Sequence, residues 1–230
     1  MKAMLLSAGL GNRLRPLTEK IPKCLVPING KPILQIWLER LSAENIGPFL
    51  INTHYLPKQV NDFVSASAFS SQISLVNEVS LLGTAGTLIK NIDFFNQNDG
   101  LMIHADNYCL ADLKEFIIAH ENRPKKCLMT MMTFQTPLPS TCGIVEIDLN
   151  NIVIGFHEKV NNPPGNLANG AIYILSSELL KILKNEMSGI RDFSLDVIPK
   201  IIGRIFTYET SKVLIDIGTN ESYQKANNLQ

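Results

Sequence analysis

The chain has 230 residues, 21 basic and 21 acidic side chains, and 45% hydrophobic residues. This composition excludes an intrinsically disordered protein, and the zero net charge argues against a general nucleic-acid binder. A chain of this length can bury a substantial core in one large domain.

Neither a membrane span nor a secretory leader is predicted. Every apolar run is shorter than the roughly 18 residues that a span needs, and the apolar start MKAMLL soon gives way to Gly and Arg. The four cysteines lack the paired CxxC spacing of a zinc site and the density of a disulfide scaffold. We therefore expect a cytoplasmic protein with reduced thiols that binds neither membranes nor nucleic acids.

In the first half, apolar runs of strand length alternate with helical patterns. Strands are predicted at Lys2–Ser7, Phe49–Asn52, Ile73–Asn77 and Gly100–His104. Helices are predicted from Pro32 to about Asn45, after Pro57, and over Thr84–Ile89. The alternation indicates an α/β fold, a Rossmann-like, mixed but mostly parallel sheet flanked by helices.

From about Lys126 the pattern changes to strands of alternating character. Strands are predicted at CLMTMMTF, GIVEID, IVIGFHEK, AIYIL and VLIDIG, with a turn at Asn150–Asn151, and helices at Ser177–Lys184 and Asp196–Ile202. We expect a single domain over residues 1–230 without a C-terminal β-helix. Residues 1–125 would mainly bind a nucleotide, and residues 126–230 would mainly bind a second substrate.

The segment after the first predicted strand carries the strongest functional signal. Gly9 and Gly11 allow the backbone to approach a phosphate closely, while Arg13 and Lys23 add cations. A GxG after a strand also begins the dinucleotide-binding fingerprint, but Leu14 stands where that fingerprint expects its third glycine. The Walker form is absent as well, so the segment predicts an anion-binding loop of another kind.

This segment resembles the signature loop of the sugar-1-phosphate nucleotidyltransferases. GLGNRLRPLT followed by PKCLVPINGKP is similar to G-x-G-x-R-[LM]-x-P-L-T followed by P-K-x-[LM] and G-K-P. In that family, which has a GT-A-like fold, the arginine contacts the outgoing pyrophosphate and the lysine lies near the reacting phosphates. The resemblance assigns these catalytic roles to Arg13 and Lys23. The implied nucleotide-binding residues of the loop are Leu6, Ser7, Ala8, Gly9, Gly11, Asn12 and Arg13.

Three further segments extend the resemblance to the base and to a metal. NEVSLLGTAGTL resembles the base-recognition loop, in which Glu78 would meet the nucleobase beside Gly83, Thr84 and Ala85. IHADN and VLIDIGTNESY resemble the two strand ends that bind Mg²⁺, which implies that Asp106 and Asp216 are metal ligands and catalytic residues. Carboxylates beside apolar strands are costly to bury without a partner, and a metal is a suitable one. Each aspartate taken singly could instead be a cap or turn residue.

The sugar side of the site is implied by FHEKV and NLANGAIYIL, which resemble E-K-P and N-A-G-I-Y. Lys159 would neutralise the sugar phosphate, and Glu158 and Asn169 would hydrogen-bond sugar hydroxyls. This chain departs from the family at two places in these segments, because Val160 replaces the proline and NGAIY replaces N-A-G-I-Y. Cys24 after Lys23 is also an uncommon residue for the family. The implied substrate-binding residues are Asp106, Gly143, Glu158, Lys159 and Asn169.

The predicted function is a Mg²⁺-dependent transfer of a nucleotidyl group from a nucleoside triphosphate to a sugar 1-phosphate, with release of pyrophosphate. The resemblance favours GTP and a mannose- or heptose-type sugar. It leaves two other nucleotides open: UTP, as in N-acetylmuramate 1-phosphate uridylyltransferases, and CTP. Two other classes are less well supported. An NAD-dependent oxidoreductase needs a third glycine in the loop and an acidic residue about twenty positions after it, and neither is found. A non-catalytic sugar-nucleotide-binding regulatory homologue has no need of Arg13, Lys23, Asp106 and Asp216 together. The protein is expected to be a monomer or a homodimer.

Overall fold

The computed structural model describes residues 1–229. Its strands are β1 (Lys2–Leu6), β2 (Pro27–Ile28), β3 (Lys31–Pro32), β4 (Phe49–Thr53), β5 (Ile73–Asn77), β6 (Gly100–His104), β7 (Asn107–Cys109), β8 (Met129–Gln135), β9 (Gly143–Ile147), β10 (Val153–Glu158), β11 (Leu167–Leu175), β12 (Ile205–Glu209) and β13 (Leu214–Asp216). Its α-helices are α1 (Ile33–Ala43), α2 (Pro57–Ala66), α3 (Thr84–Lys90), α4 (Leu113–Glu121), α5 (Ser177–Glu186) and α6 (Asn220–Asn227). The predicted α/β class, a mixed and mostly parallel sheet flanked by helices, is confirmed.

The chain divides into two compact units. The first unit comprises Met1–Leu81, Ile103–Leu110 and the chain from Val213 onward, and the second comprises Leu82–Met102 and Ala111–Lys212. Both β1 and α6 therefore belong to the first unit. The expected division into a nucleotide half and a sugar half at residue 125 stays a prediction.

Parallel strands form the centre of the first unit. β4 lies between β1 and β5, with Ile51 of β4 opposite Leu5 and Leu75. All five residues of β4 are buried, as expected of a parallel strand covered on both faces. After β6, the N–H of Ala105 donates to the carbonyl of Leu6 at 3.0 Å, so this segment runs beside the end of β1. Parallel strands end at one edge of a sheet, and the segments that follow β1 and β6 therefore lie together.

A mixed set of strands forms the second unit. β8 pairs antiparallel with β11 and parallel with β12, and the hairpin of β9 and β10 joins β11 through Ile144 and Ala168. The predicted turn at Asn150–Asn151 is confirmed. Asn151 has a φ of 58°, and Oδ1 of Asp148 accepts from the backbone N–H of Asn150 at 2.8 Å. Asparagine tolerates this left-handed conformation better than most residues do, which explains its place in the turn.

Six elements were not predicted from the sequence: the two-residue strands β2 and β3, and β7, β12, α4 and α6. Of the last four, the two strands are short or weakly alternating, and the two helices carry few buried residues. The helix predicted over Asp196–Ile202 is instead a π-helical turn at Phe193–Val197 followed by a 3₁₀ turn at Ile198–Ile201. Pro199 lacks a backbone N–H, which disfavours a regular α-helix there.

Residues 1–229 contain neither a disulfide nor a helix that is long and apolar enough to cross a membrane. Cys24, Cys109 and Cys127 are buried, and Cys142 is half-buried. Burial raises the pKa of the Cys24 thiol to about 12, so this side chain is protonated at neutral pH. Its place is that of a small packing residue next to the side chain of Ser7.

Candidate active site

The glycine-bearing segment forms a tight loop at the end of β1. Gly11 has a φ of 66°, and its carbonyl accepts from the hydroxyl of Thr18 at 2.7 Å. A Cβ atom at Gly11 would lie only 2.9 Å from Cγ2 of Thr18, which is fully buried. Both the backbone angle and the close packing therefore require glycine at this position. A Cβ at Gly9 would meet no atom of the chain within 4 Å, so this side of the loop is open.

Ser7 attaches the loop to the neighbouring strand β4. Its backbone N–H donates to Oδ1 of Asn52 at 2.7 Å, and its hydroxyl donates to the carbonyl of Asn52. Leu6 is held by Ala105 as described above, and Ala8 is buried. The start of the loop is thus fixed, whereas Leu10 and Gly9 are exposed.

Lys23 lies between the two predicted metal ligands. Its Nζ is 2.5 Å from Oδ2 of Asp106 and 3.0 Å from Oδ1 of Asp216. Only 9% of the Lys23 side chain is exposed, compared with 31% for Asp106 and 53% for Asp216. Arg13 approaches the same group from the solvent side, since its Nη2 is 3.6 Å from Oδ2 of Asp216 and its side chain is 70% exposed. The structure therefore brings the four predicted catalytic residues together within the first unit.

A short antiparallel pair, β7 and β13, brings the two aspartates together. Asp216 is opposite Asn107, and the N–H of Ile217 donates to the carbonyl of Asp106 at 3.1 Å. Trp37 of α1 holds the same segment, because its buried indole N–H donates to the carbonyl of Asn107 at 2.8 Å. This pairing places Asp106 and Asp216 side by side, although they are far apart in the sequence.

Gly218 completes the packing around this group. A Cβ atom there would lie 2.8 Å from Nη2 of Arg13 and 2.8 Å from Oδ2 of Asp216. Any larger residue would push the arginine away from the aspartate. The close packing of Arg13 and Asp216 therefore explains why the last residue of VLIDIG, Gly218, is a glycine.

The charges of the group stabilise one another. Burial by itself lowers the pKa of the Lys23 ammonium, but the carboxylates of Asp106 and Asp216 outweigh it and the net pKa is raised. Burial likewise raises the pKa of the Asp106 carboxyl, but Lys23, with a smaller contribution from His104, lowers it overall. Lys23 is therefore protonated and Asp106 ionised at neutral pH.

Asp106 and Asp216 are the candidate ligands for a divalent cation. Within residues 1–229, no group of three or more His, Cys, Asp or Glu side chains is arranged to hold a metal. Two carboxylates fit Mg²⁺, which commonly takes one or two protein carboxylates and completes its octahedron with water and phosphate oxygens. The donor set suits a cation that arrives with a phosphorylated substrate.

Glu78 follows β5 and is buried, with 2% of the residue exposed. Its Oε1 accepts from Nδ2 of Asn52 at 2.8 Å, and its backbone N–H donates to the carbonyl of Thr53 at 2.8 Å. Nδ1 of His54 lies 2.8 Å from the Glu78 carbonyl. The predicted base-reading carboxylate is therefore held firmly inside the first unit.

In the second unit, Gly83, Thr84 and Ala85 form the start of α3. Gly83 has a φ of 81°, and a Cβ atom there would lie 2.4 Å from the carbonyl oxygen of Arg191. The same carbonyl accepts from the N–H of Ala85 at 2.9 Å, and the hydroxyl of Thr84 accepts from the N–H of Phe193 at 2.7 Å. The glycine thus has a packing role in joining α3 to the segment before the π-helical turn.

Three predicted sugar-side residues come together in the β9–β10 hairpin. Gly143 is opposite Glu158, and a Cβ atom at Gly143 would lie 2.5 Å from Oε2 of that glutamate. Nζ of Lys159 is 3.1 Å from Oε1 of Glu158, and the backbone of Lys159 has a φ of 50°. Proline disfavours such a conformation in the residue before it, so Val160 suits this backbone better than the proline of the family motif.

Asn169 lies at an irregularity in β11. Its Nδ2 donates to the hydroxyl of Tyr173 at 2.7 Å, and its Oδ1 accepts from the N–H of Ala171 at 3.0 Å. Burial, with a smaller contribution from the charge of Glu158, raises the pKa of Tyr173, which remains a neutral donor and acceptor. Ala171 has a φ of 52°, so alanine occupies a left-handed position where the family motif N-A-G-I-Y has glycine.

Sequence reasoning missed four residues that hold the site: Thr18, Trp37, Asn52 and Tyr173. Thr18 belongs to the signature loop, and Asn52 is a polar residue at the end of an apolar strand, so both carried a signal. The partners of Trp37 and Tyr173 follow only from the three-dimensional structure.

Comparison with known proteins identifies the family of this chain. The model of a family described as Nucleotidyl transferase matches residues 2–230. A Campylobacter jejuni D-glycero-alpha-D-manno-heptose 1-phosphate guanylyltransferase is 28% identical over 97% of this chain and 97% of its own length. A Mycobacterium tuberculosis mannose-1-phosphate guanylyltransferase is 28% identical over 96% of this chain and 62% of its own length.

A solved structure is also similar over nearly the whole chain. HddC from Yersinia pseudotuberculosis, complexed with GMP-PN, has a TM-score of 0.82 and 28% identity, covering 98% of this chain and 97% of that one. Other relatives carry the names of glucose-1-phosphate adenylyltransferases and a UTP–glucose-1-phosphate uridylyltransferase. This chain spans between 60% and 66% of the length of the first curated relatives.

Proposed function

The chain belongs to the nucleotidyl transferase family, and on that premise we propose that it transfers a nucleotidyl group from a nucleoside triphosphate to a sugar 1-phosphate. The observation that carries the proposal is the position of Lys23 between Asp106 and Asp216, beside Arg13. A turn or a cap would explain each aspartate singly. Neither explains why both surround one buried lysine next to an open glycine loop.

In the proposed reaction, an oxygen of the sugar 1-phosphate attacks the α-phosphorus of the triphosphate. A new P–O bond forms, the bond from the α-phosphorus to the bridging oxygen breaks, and pyrophosphate leaves with the bonding electrons. The attacking phosphate is already ionised at neutral pH, so the step requires no general base. Catalysis then depends on positioning and on neutralising charge.

Different residues of the first unit would position the triphosphate and neutralise its charge. The open side of Gly9 and the N–H groups of the loop would face the triphosphate, and Arg13 would contact the departing pyrophosphate. Lys23 would keep its charge near the reacting phosphates, because its two carboxylate partners raise its pKa. Asp106 and Asp216 would hold Mg²⁺, which when bound supplies positive charge between the two anionic substrates.

The second unit would bind the sugar phosphate. Lys159 carries the charge that suits a phosphate, and its side chain is 64% exposed and therefore accessible. Glu158, Asn169 and Tyr173 offer hydrogen-bonding groups to sugar hydroxyls. Gly143 permits the close approach of Glu158 on which this arrangement depends.

GTP and a manno-configured sugar are the proposed substrates. The proposal is supported by the guanylyltransferase names of relatives that match nearly the whole chain and by the GMP-PN complex of HddC. A carboxylate such as Glu78 suits guanine, since it accepts from both the ring N–H and the exocyclic amine. The uridylyl- and adenylyltransferase names make UTP and ATP the substrates to test beside it. A cytoplasmic location is part of the proposal, supported by four cysteines without a disulfide.

Pyrophosphate release tests the proposal. The four common nucleoside triphosphates are each combined with mannose 1-phosphate, a manno-heptose 1-phosphate, glucose 1-phosphate and N-acetylmuramate 1-phosphate, with Mg²⁺ or with EDTA. We expect release with GTP and a manno-configured sugar, and none with EDTA. Release from no pair would contradict the proposed transfer, and binding of a nucleotide sugar without turnover would favour a regulatory protein.

A further inference from the structure

A buried side-chain amide joins Glu78 to the glycine loop. Asn52 near the end of β4 and Glu78 after β5 are 3% and 2% exposed. Nδ2 of Asn52 donates to Oε1 of Glu78 at 2.8 Å, while Oδ1 of the same amide accepts from the N–H of Ser7 at 2.7 Å. One side chain therefore contacts both the carboxylate and the first residue of the loop.

The chemistry of the partners fixes the orientation of this amide. A carboxylate oxygen only accepts, and a backbone N–H only donates, so rotating the amide by half a turn would lose both hydrogen bonds. The Ser7 hydroxyl donates a further hydrogen bond to the backbone carbonyl of Asn52. The backbone of Glu78 is held by Thr53, so both ends of the network are attached to the strands.

We infer that Asn52 is a positioning residue that couples the carboxylate of Glu78 to the conformation of the phosphate-binding loop. The inference rests on the proposed function, since that proposal supplies the phosphate ligand of the loop. A hydrogen bond to a carboxylate is stronger than one between neutral groups, and a half-satisfied buried network is unstable. Loss of the Asn52–Glu78 bond therefore displaces Ser7 and weakens phosphate binding by the loop.

Three variants distinguish the effect of the Asn52–Glu78 hydrogen bond from the effect of the Glu78 charge. Asn52→Asp keeps an acceptor for Ser7 but places a second carboxylate against Glu78. Glu78→Gln keeps an acceptor for Asn52 and removes the charge. The double variant N52D/E78Q restores the bond with reversed polarity, because the Gln amide donates to the Asp carboxylate.

Inorganic triphosphate is the probe, because it carries no base and reports on the loop alone. Its dissociation constant is measured by calorimetry at pH 8, below the melting temperature of each variant. We expect N52D to bind triphosphate about tenfold more weakly than wild type, which is a loss of about 1.4 kcal/mol in binding free energy. E78Q and N52D/E78Q should bind within about twofold of wild type, as should the matched control Asn77→Asp. Asn77 is exposed at the adjacent strand end, and its Oδ1 accepts from the Thr53 hydroxyl at 3.3 Å.

Two results would overturn the coupling. One is an N52D protein that binds triphosphate as tightly as wild type, and the other is a double variant that binds no better than N52D. These failures leave the proposed transfer intact, because the wild-type protein still binds triphosphate and releases pyrophosphate. A wild-type protein that binds no inorganic triphosphate also overturns the coupling, whereas only the absence of pyrophosphate release overturns the proposed transfer.

Discussion

The ammonium of Lys23 donates to the carboxylate of Asp106 at 2.5 Å across 83 residues of sequence. The same ammonium reaches Asp216 at 3.0 Å, so one nearly buried cation stands between two carboxylates. Two carboxylates that share a position repel each other unless a cation lies nearby. Lys23 therefore offsets the repulsion between the two aspartates.

Replacing Lys23 should make the fold respond more strongly to Mg²⁺. In Lys23→Met the two aspartates lose their shared cation, and a divalent ion can take over its electrostatic role. We expect millimolar Mg²⁺ to stabilise this variant by about 1 kcal/mol more than wild type, a further rise in Tm of about 2–4 °C. Scanning calorimetry with Mg²⁺ or EDTA measures it. Lys31→Met, which removes the exposed pair with Glu39, is the control and should respond like wild type. An equal response of K23M and wild type contradicts the metal assignment.

Removal of either aspartate should abolish turnover while preserving the fold. Asp106→Ala and Asp216→Ala each delete a proposed ligand, and loss of one major electrostatic contact lowers kcat by a factor of about 10²–10³ or more. Steady-state pyrophosphate release and circular dichroism check both parts of this expectation. Asp62→Ala, which loses an exposed pair with Lys58, is the control and should keep full activity. Wild-type rates in either site variant would remove that aspartate from the mechanism.

A neutral Glu78 should change the choice of nucleotide more than the choice of sugar. In Glu78→Gln an amide N–H donor replaces a carboxylate oxygen that would accept hydrogen bonds from the guanine N–H groups. Since hydrogen bonds to charged groups contribute about 1.5–3 kcal/mol, we expect kcat/KM for GTP relative to ATP to fall at least tenfold. KM for the sugar 1-phosphate should stay within about twofold. Glu39→Gln on the exposed face of α1 serves as the control, and an unchanged nucleotide profile in E78Q would argue against base reading by this residue.

Glycine should stabilise the protein at position 171. Ala171 has a φ of 52°, and a left-handed backbone costs a residue with a Cβ about 1–2 kcal/mol. Ala171→Gly relieves this strain but raises the entropy of the unfolded chain, so we expect a net gain of about 0.5–1 kcal/mol in the free energy of unfolding. Urea denaturation measures the change. Ala168→Gly on the same strand is the control and should destabilise. A loss of stability in A171G would show that the left-handed angle carries no strain.

The stability of the second unit should fall in mild acid because of His120. Burial is the main reason that the pKa of His120 lies below its ordinary 6.5, although Asp99 partly opposes it. Nδ1 of His120 lies 2.8 Å from the Thr130 hydroxyl, and Nε2 lies 3.1 Å from the Asp99 carboxylate. The unfolded chain takes up a proton near pH 6.5 that the folded chain binds only at lower pH, so acid favours unfolding below that value.

Asp99 acts in the same direction at lower pH. The hydrogen bond with His120 lowers the pKa of Asp99, so its stabilisation is present above the ordinary 3.8 and is lost as the pH falls through the lowered value. Urea denaturation from pH 8 to pH 5 should show a smaller pH dependence in His120→Gln than in wild type. Asn122→Gln, an exposed and non-titrating side chain at the end of α4, is the control and should retain the wild-type slope. Equal slopes in wild type and H120Q would contradict the role of His120.

Local features of the chain could be predicted well from sequence. β5 and β6 have the predicted bounds, because each is a short, largely apolar run bounded by polar residues. The turn at Asn151 was predicted from residue type, because asparagine tolerates a left-handed backbone. Gly11 also followed from its place in the loop, and the structure adds the contact with Thr18 that excludes a side chain.

The relationships within the site could not be predicted in the same way. The antiparallel pairing of β7 with β13 places Asp216 opposite Asn107, and neither three-residue strand is long enough to show a period. The bonds from Trp37 to Asn107 and from Asn52 to Glu78 join residues on different elements. Local pattern depends on burial and backbone preference, which each short segment carries in its own residues. Partners across the fold depend on how strands pair and helices pack, and that depends on the whole chain at once.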